Sequence, residues 1–160
     1  MAFDSTAQRR IMGRFATGVT VVTTGKDDQI HGMTANAVTS LSLDPPLILV
    51  AVDRRGSMYG HLKQNAFFAV NVLRADQEAL SRRFAAPGPK DFSDLGLTTA
   101  ATGAPILSDA IAYADCRVVE VLPGGDHDIF IGEILAGDGR DGLPLLFYAG
   151  KYAQLAESTC

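Results

Sequence analysis

Cysteine is scarce in this chain. Only Cys116 and Cys160 occur in 160 residues, and neither belongs to a C-x-x-C pair. No disulfide framework and no zinc site is therefore expected. Histidine is equally thin: His31, His61 and His127 lie far apart, without the short spacing of a metal-ligand set. No run of Lys and Arg occurs, and the formal net charge of -4 argues against a nucleic-acid footprint or an acidic membrane surface as target. The opening MAFDSTAQRR lacks the apolar stretch of a secretory signal, and the longest apolar run, Pro45 to Val52, is too short to cross a bilayer as a helix. A cytoplasmic location is the resulting expectation.

Familiar catalytic signatures are missing as well. There is no G-x-S-x-G elbow, no P-loop, and no G-x-G-x-x-G between a strand and a helix, so a Rossmann reading fails. Without an activated nucleophile or a metal set, the hard chemistry falls to a cofactor.

What is present is an ordinary globular composition, 47% hydrophobic and 20% charged, which suits one domain over residues 1–160. Ser5 to Gln8 reads as a capping box, opening a helix that ends near Thr17-Gly18. Gly18 to Thr24 is a β-branched strand, and Lys26 to Gln29 a polar turn. Asn36 to Leu43 alternates, with Leu41 and Leu43 opposite Ser40 and Ser42, and stops at Asp44-Pro45-Pro46. Leu47 to Val52 is continuously apolar, the pattern of a strand covered on both faces. Ser57 to Asn65 predicts a helix with Ser57 as N-cap, Phe67 to Leu73 a strand, and Ala75 to Phe84 a second helix. Ala85 to Pro105 reads as a long loop. Ile111 to Leu122 and His127 to Gly137 are long strands joined by a Pro123-Gly124-Gly125-Asp126 hairpin, and Leu145 to Leu155 supplies one or two more. Hairpin-linked antiparallel strands with few short helices predict a mainly β barrel.

Three segments carry candidate chemistry. Thr34, Ala35, Asn36 and Ala37, with Ser40, offer small side chains, hydroxyls and an amide to a flat, polar-edged ring. The competing reading is the wet face of an ordinary strand. Asp53-Arg54-Arg55-Gly56-Ser57 joins a buried strand to a helix start, where free amides and two guanidiniums suit a phosphate. A solvated turn with a capped helix explains it equally well. His127 sits between Asp126 and Asp128 at the start of a strand. It can position the polar edge of a ring ligand, or simply bond a turn carbonyl. Phe84 and Tyr152 border the same region as further cofactor candidates. An amphipathic helix and structural tyrosines account for them as readily.

Four segments together, RFATGVTVVTT, GMTANAVTSLSLDPP, FFAVNVL followed by LSRRFA, and GGDHDIFIGEI ahead of PLLFYAGKY, resemble the short-chain flavin reductases. These are the reductase components of two-component flavin-dependent monooxygenases. The resemblance spans nearly the whole chain. It implies an FMN-binding split β-barrel with Greek-key strand order, a homodimer, and hydride transfer from NADH or NADPH to FMN, FAD or riboflavin. It further implies a partner monooxygenase that consumes the reduced flavin. Mapped here, flavin contacts would fall at Thr34, Ala35, Asn36, Ala37 and Ser40, and phosphate contacts at Asp53, Arg54, Arg55, Gly56 and Ser57. The loop after Phe84, together with His127, would lie by the nicotinamide. Ala37 stands where the family often has Ser, and Ala149 where a larger or basic residue is common; both bear on flavin choice. The alternative within this reading is a non-catalytic or electron-carrying FMN-binding flavoprotein.

Overall fold

Asn36 and Ala37 explain the architecture. In a computed structural model, which describes residues 2–156, these two residues are the whole link between strands β3 (His31–Ala35) and β4 (Val38–Leu43). Those strands are the two outermost members of a seven-stranded sheet. Laid flat, with strands ~4.8 Å apart, the sheet would hold its edges roughly 29 Å from each other. The link covers three Cα–Cα steps of ~3.8 Å, at most about 11 Å. The sheet therefore curls until its edges face each other, and it stays split along that seam because β3 and β4 do not pair.

The sheet order is β3-β2-β6-β9-β10-β5-β4, where β2 is Thr20–Thr24, β5 Pro46–Asp53, β6 Phe67–Val72, β9 Ala112–Gly124 and β10 His127–Gly139. Every pairing is antiparallel. The connection from β5 to β6 crosses between non-adjacent strands through helix α2 (Ser57–Asn65), the Greek-key kind of jump. A second sheet orders β1 (Thr17–Gly18), β11 (Leu145–Tyr148) and β12 (Lys151–Gln154), and a short pair joins β7 (Leu97–Thr98) to β8 (Ile106–Leu107). Helix α1 covers Ser5–Met12 and α3 Glu78–Ala85. No helix among the described residues is long and apolar enough to cross a membrane.

The barrel interior is filled by Val22, Val50, Val52, Phe68 and Phe130, with Met58 and Leu62 of α2 packed among them. Each such side chain contributes about 1.5–3 kcal/mol, more than the exposed ion pairs can supply. Strand β2 is buried on both faces because Phe84 of α3 and Phe92 of the loop before β7, with Leu73 after β6 and Leu107 in β8, cover its outer side. Close approach of α3 requires Gly32, since a Cβ there would lie 2.6 Å from the Phe84 ring.

Several predicted boundaries shift for identifiable reasons. Asp4, not Ser5, caps α1, its carboxylate accepting from the Thr6 N–H at 3.0 Å. That helix ends at Met12 rather than near Thr17, because Thr17 and Gly18 pair with Phe147 and Leu146. Gly56, not Ser57, is the N-cap of α2, and no side chain caps it. The second helix begins at Glu78 rather than Ala75; the Gln77 side chain instead accepts from the Arg74 N–H. Strand β5 alternates, with Ile48, Val50 and Val52 buried and the residues between them half-covered, so only one face is sealed. Leu41 and Leu43, read as lying opposite Ser40 and Ser42, are 46% and 90% exposed, in a strand whose register slips between Ser40 and Ser42. Cys116 is buried and free, and burial pushes its thiol up to about 12; Cys160 lies outside the described residues.

Candidate active site

The β3–β4 link opens onto a cleft of about 850 Å³. Asn36, Ala37, Val38 and Thr39 form one wall, and Thr17, Gly18 and Thr20 another. Met12, Phe15 and Phe147 close it with apolar surface. The volume and the mix of apolar walls with a few polar groups match a small-molecule site. Asn36 and Ala37 are exposed, and Ala37 is fixed by its carbonyl, which accepts from the Ala51 N–H at 3.0 Å. Thr17 bears directly on ligand fit. Its Oγ1 is buried and has no hydrogen-bond partner, an uncommon state for a buried hydroxyl. Turned toward the cleft, that hydroxyl would gain a partner from a ligand's polar edge, and the small polar and apolar lining residues suit a flavin ring.

At the other end of β3, some 13 Å away at ~3.3 Å per residue, a second cluster forms. His31 is buried and its Nε2 lies 3.0 Å from the Ser57 Oγ. His61 stacks on it, with ring centroids 4.5 Å apart. Burial, with His61 and then Lys90 as neighbouring charges, lowers the His31 pKa to about 4. Burial also lowers the Lys90 pKa. Two of the three histidines thus meet although 30 positions separate them in the chain, a contact that linear spacing hid. The free amides at the start of α2, the Ser57 hydroxyl and the Lys90 ammonium make this corner receptive to an anion. No three His, Cys, Asp or Glu side chains gather into a metal-holding group among the described residues.

The remaining candidates separate into engaged and open groups. Arg54 is not the free cation that its sequence context suggested. Its Nε donates to Asp128 Oδ1 at 2.8 Å and its Nη1 to the Gly125 carbonyl at 2.5 Å. Arg55 is more exposed and holds Asp53 through two side-chain bonds at 3.2 and 3.0 Å. That guanidinium holds the Asp53 carboxyl down to about 2. His127 is half-buried at the hairpin, its Nδ1 2.7 Å from the Asp126 carboxylate. Ser40 is exposed on β4, and Ala35 is buried, its carbonyl accepting from the Thr20 hydroxyl. Three candidates face inward, away from the cleft. The Thr34 hydroxyl donates to the Ser81 carbonyl at 2.6 Å, Phe84 is buried in edge contact with Phe92, and the Tyr152 hydroxyl lies 2.7 Å from Ser81 Oγ. Their contacts are those of side chains that fasten α3 to the sheet.

Comparison with known proteins decides the family. The profile described as flavin reductase like domain matches residues 12–156. The chain belongs to that family. An NADH-dependent flavin reductase from Rhodococcus sp is 40% identical over 150 residues, covering 92% of this chain and 84% of the relative. The reductase component of a 4-nitrophenol 4-monooxygenase/4-nitrocatechol 2-monooxygenase from Rhodococcus opacus is 38% identical over 149 residues, with coverage of 93% and 80%. Among solved structures, the NADH:FAD oxidoreductase of Streptomyces globisporus in complex with NAD and FAD fragments superimposes with a TM-score of 0.92 at 36% identity, covering 98% of this chain and 96% of that one. This flavin reductase-like domain is accordingly a split barrel, and the curled, seam-split sheet is its physical form.

Proposed function

We propose that the chain is an NAD(P)H:flavin oxidoreductase that passes hydride from a reduced nicotinamide to FMN, FAD or riboflavin and supplies the reduced flavin to a partner monooxygenase. The names of its relatives support the activity. The observation that carries the siting is the cleft lined by Thr17, Thr20, Asn36 and Ala37, with the unpartnered Thr17 hydroxyl beneath its surface.

Asn36, Ala37, Thr17 and Ser40 hold the flavin ring and its polyol. The phosphate lies toward the uncapped start of α2, near Gly56, Ser57 and Lys90. Arg55, paired with Asp53 and largely exposed, is able to turn toward it. Asp53 holds that guanidinium only while no phosphate is bound. His127 serves the nicotinamide. When both are bound, the flavin accepts a hydride directly from the dihydronicotinamide, and the chain's residues orient the two rings and exclude water. No covalent intermediate with the protein forms.

A second copy of the chain completes the assembly. Helix α1 has no buried residue. Phe3, Ile11, Met12, Phe15, Leu41 and Leu43 are all exposed by 46% or more. Met12 and Phe15 line the cleft itself, so a homodimer would wall it.

The deciding experiment mixes the protein with NADH or NADPH and each free flavin and follows the nicotinamide absorbance. Flavin-dependent oxidation is expected; none above background overturns the reductase reading. A purified protein that stays yellow and turns over slowly would indicate the electron-carrying alternative.

A further inference from the structure

We infer that Arg54 and Asp128 are positioning residues that latch the Gly125-Asp126 hairpin, and with it His127, beside the start of α2, and that they serve the nicotinamide and not the flavin phosphate. This rests on the reductase reading, and goes beyond it by removing Arg54 from the phosphate site and giving it another task.

The latch is built from both the backbone and the side chain of Arg54. Its N–H donates to the Asp126 carbonyl at 3.2 Å, and its Nη1 donates to the Gly125 carbonyl at 2.5 Å. Both carbonyls of the two-residue loop are thereby held by one residue of the facing strand's end. The same guanidinium reaches the Asp128 carboxylate through Nε at 2.8 Å and Nη2 at 2.6 Å. The second Asp128 oxygen accepts from the Tyr59 hydroxyl, on α2, at 2.9 Å. The Asp128 side chain is only 11% exposed. A planar guanidinium with several fixed donors is suited to hold a carboxylate and a carbonyl together, and a lysine cannot copy that fork.

The consequence is geometric. His127 sits between the two anchored positions, Asp126 and Asp128, and opposite Asp53 in the sheet register. Gly125 adopts a left-handed φ of 72°, so the turn has conformational freedom of its own that the latch removes. Tyr59 ties the same carboxylate to α2. The imidazole and the first turn of α2 are thus held in one fixed relation, which a reaction between two separately bound rings demands. Because its nitrogens are already committed, Arg54 has little left to offer a phosphate.

The test compares wild type with Arg54→Ala, Arg54→Lys and Asp128→Asn. Amide hydrogen exchange of the free protein reports the hairpin directly. Steady-state kinetics separates KM for NADH from kcat, and fluorescence quenching gives the affinities for FMN and riboflavin. Arg54→Ala is expected to speed exchange over Gly125–Asp128 and to raise KM for NADH by about tenfold, since small misplacements of reacting groups are costly. FMN and riboflavin affinities should change equally and little. Arg54→Lys should show the same direction at smaller amplitude. Should Arg54→Ala fail to fold, Asp128→Asn, which keeps a side-chain oxygen for Tyr59, carries the same prediction. Unchanged exchange at the hairpin would overturn the latch. FMN binding lost with riboflavin binding retained, and KM for NADH unaltered, would return Arg54 to the phosphate. If the wild type oxidises NADH with no flavin, the reductase reading fails, and the exchange measurement still decides the latch.

Discussion

His31 and Ser57, 26 residues apart, meet through imidazole Nε2 and hydroxyl Oγ at 3.0 Å, and this contact ties the first residue of β3 to the first residue of α2. A neutral His31 ring bonds Ser57 in either tautomer, accepting its proton at Nε2 or donating from Nε2 to Oγ. A protonated one has no lone pair there. The His31 pKa is lowered from 6.5 to about 4, chiefly by burial. The native state therefore favours the neutral form, and the unfolded chain binds the extra proton first. Stability is fully present above about pH 6.5 and declines as pH falls toward 4, where the loss is complete. The full displacement corresponds to about 3 kcal/mol, and partial solvent access reduces it to an order of 1–2 kcal/mol. Chemical unfolding between pH 7 and 4 should show this slope, and His31→Asn should flatten it. NMR titration placing the ring's pKa near 6.5 would contradict the assignment.

Gly32→Ala tests how closely α3 must lie against β3. The new methyl would stand 2.6 and 2.7 Å from two Phe84 ring carbons and 3.3 Å from Phe92. Phe84 is 1% exposed and has no free space to enter. Overpacking of this kind costs about 1–3 kcal/mol. The midpoint of urea unfolding should fall accordingly. Gly60→Ala, where nothing lies within 4 Å of the added methyl, should leave it unchanged or raised.

Local signals carried the elements well. Asn65 and Ser57 bound α2 as read, because a Gly before it and a left-handed Ala66 after it stop the helix locally. The Gly125-Asp126 turn falls within the predicted Pro123–Asp126 connection, while Pro123 and Gly124 themselves pair in β9. Asn36 stood out by residue type, and it does line the cleft. What stayed hidden depends on strands brought together from afar. Asp128 neutralises Arg54 across 74 positions, so a motif that looked like a bare phosphate clamp carries a paired guanidinium. His61 stacks on His31 only because α2 folds back over the end of β3. Thr34 has the composition of a ring contact, yet it points toward α3 and spends its hydroxyl on Ser81. Thr17 was read as a helix end, and pairing with Phe147 converts it to a strand residue whose hydroxyl has no partner.

Thr17→Val separates binding from folding at the cleft. The substitution preserves shape and deletes the one buried side-chain oxygen without a hydrogen bond among the described residues. Removing an unsatisfied buried hydroxyl costs the free protein nothing and can stabilise it by up to about 1 kcal/mol. A hydroxyl that binds a flavin edge contributes roughly 0.5–1.5 kcal/mol there. Thermal unfolding without flavin should therefore give an equal or higher Tm, while the Kd for FMN rises several-fold. A variant with lower Tm and unaltered FMN affinity would show that Thr17 serves the fold alone.

Leu43→Glu examines whether a second copy covers the seam. Leu43 is 90% exposed at the end of β4, an edge strand, and Phe15 is 69% exposed at the cleft. On a monomer such positions are neutral, and a charge there changes stability by no more than about 0.5 kcal/mol. In a homodimer each would be buried against its partner, and a carboxylate would enter an apolar contact unpaired at a cost of several kcal/mol. Sedimentation should show wild type at twice the 16.9 kDa chain mass, with Leu43→Glu and Phe15→Glu shifted toward the single chain. Flavin affinity separates the two variants further. Phe15 lines the cleft, so its substitution weakens binding even at concentrations that restore association, whereas Leu43→Glu recovers with assembly. A wild-type chain that sediments at 16.9 kDa across the assay range, with full reductase activity, would leave the cleft complete within one copy.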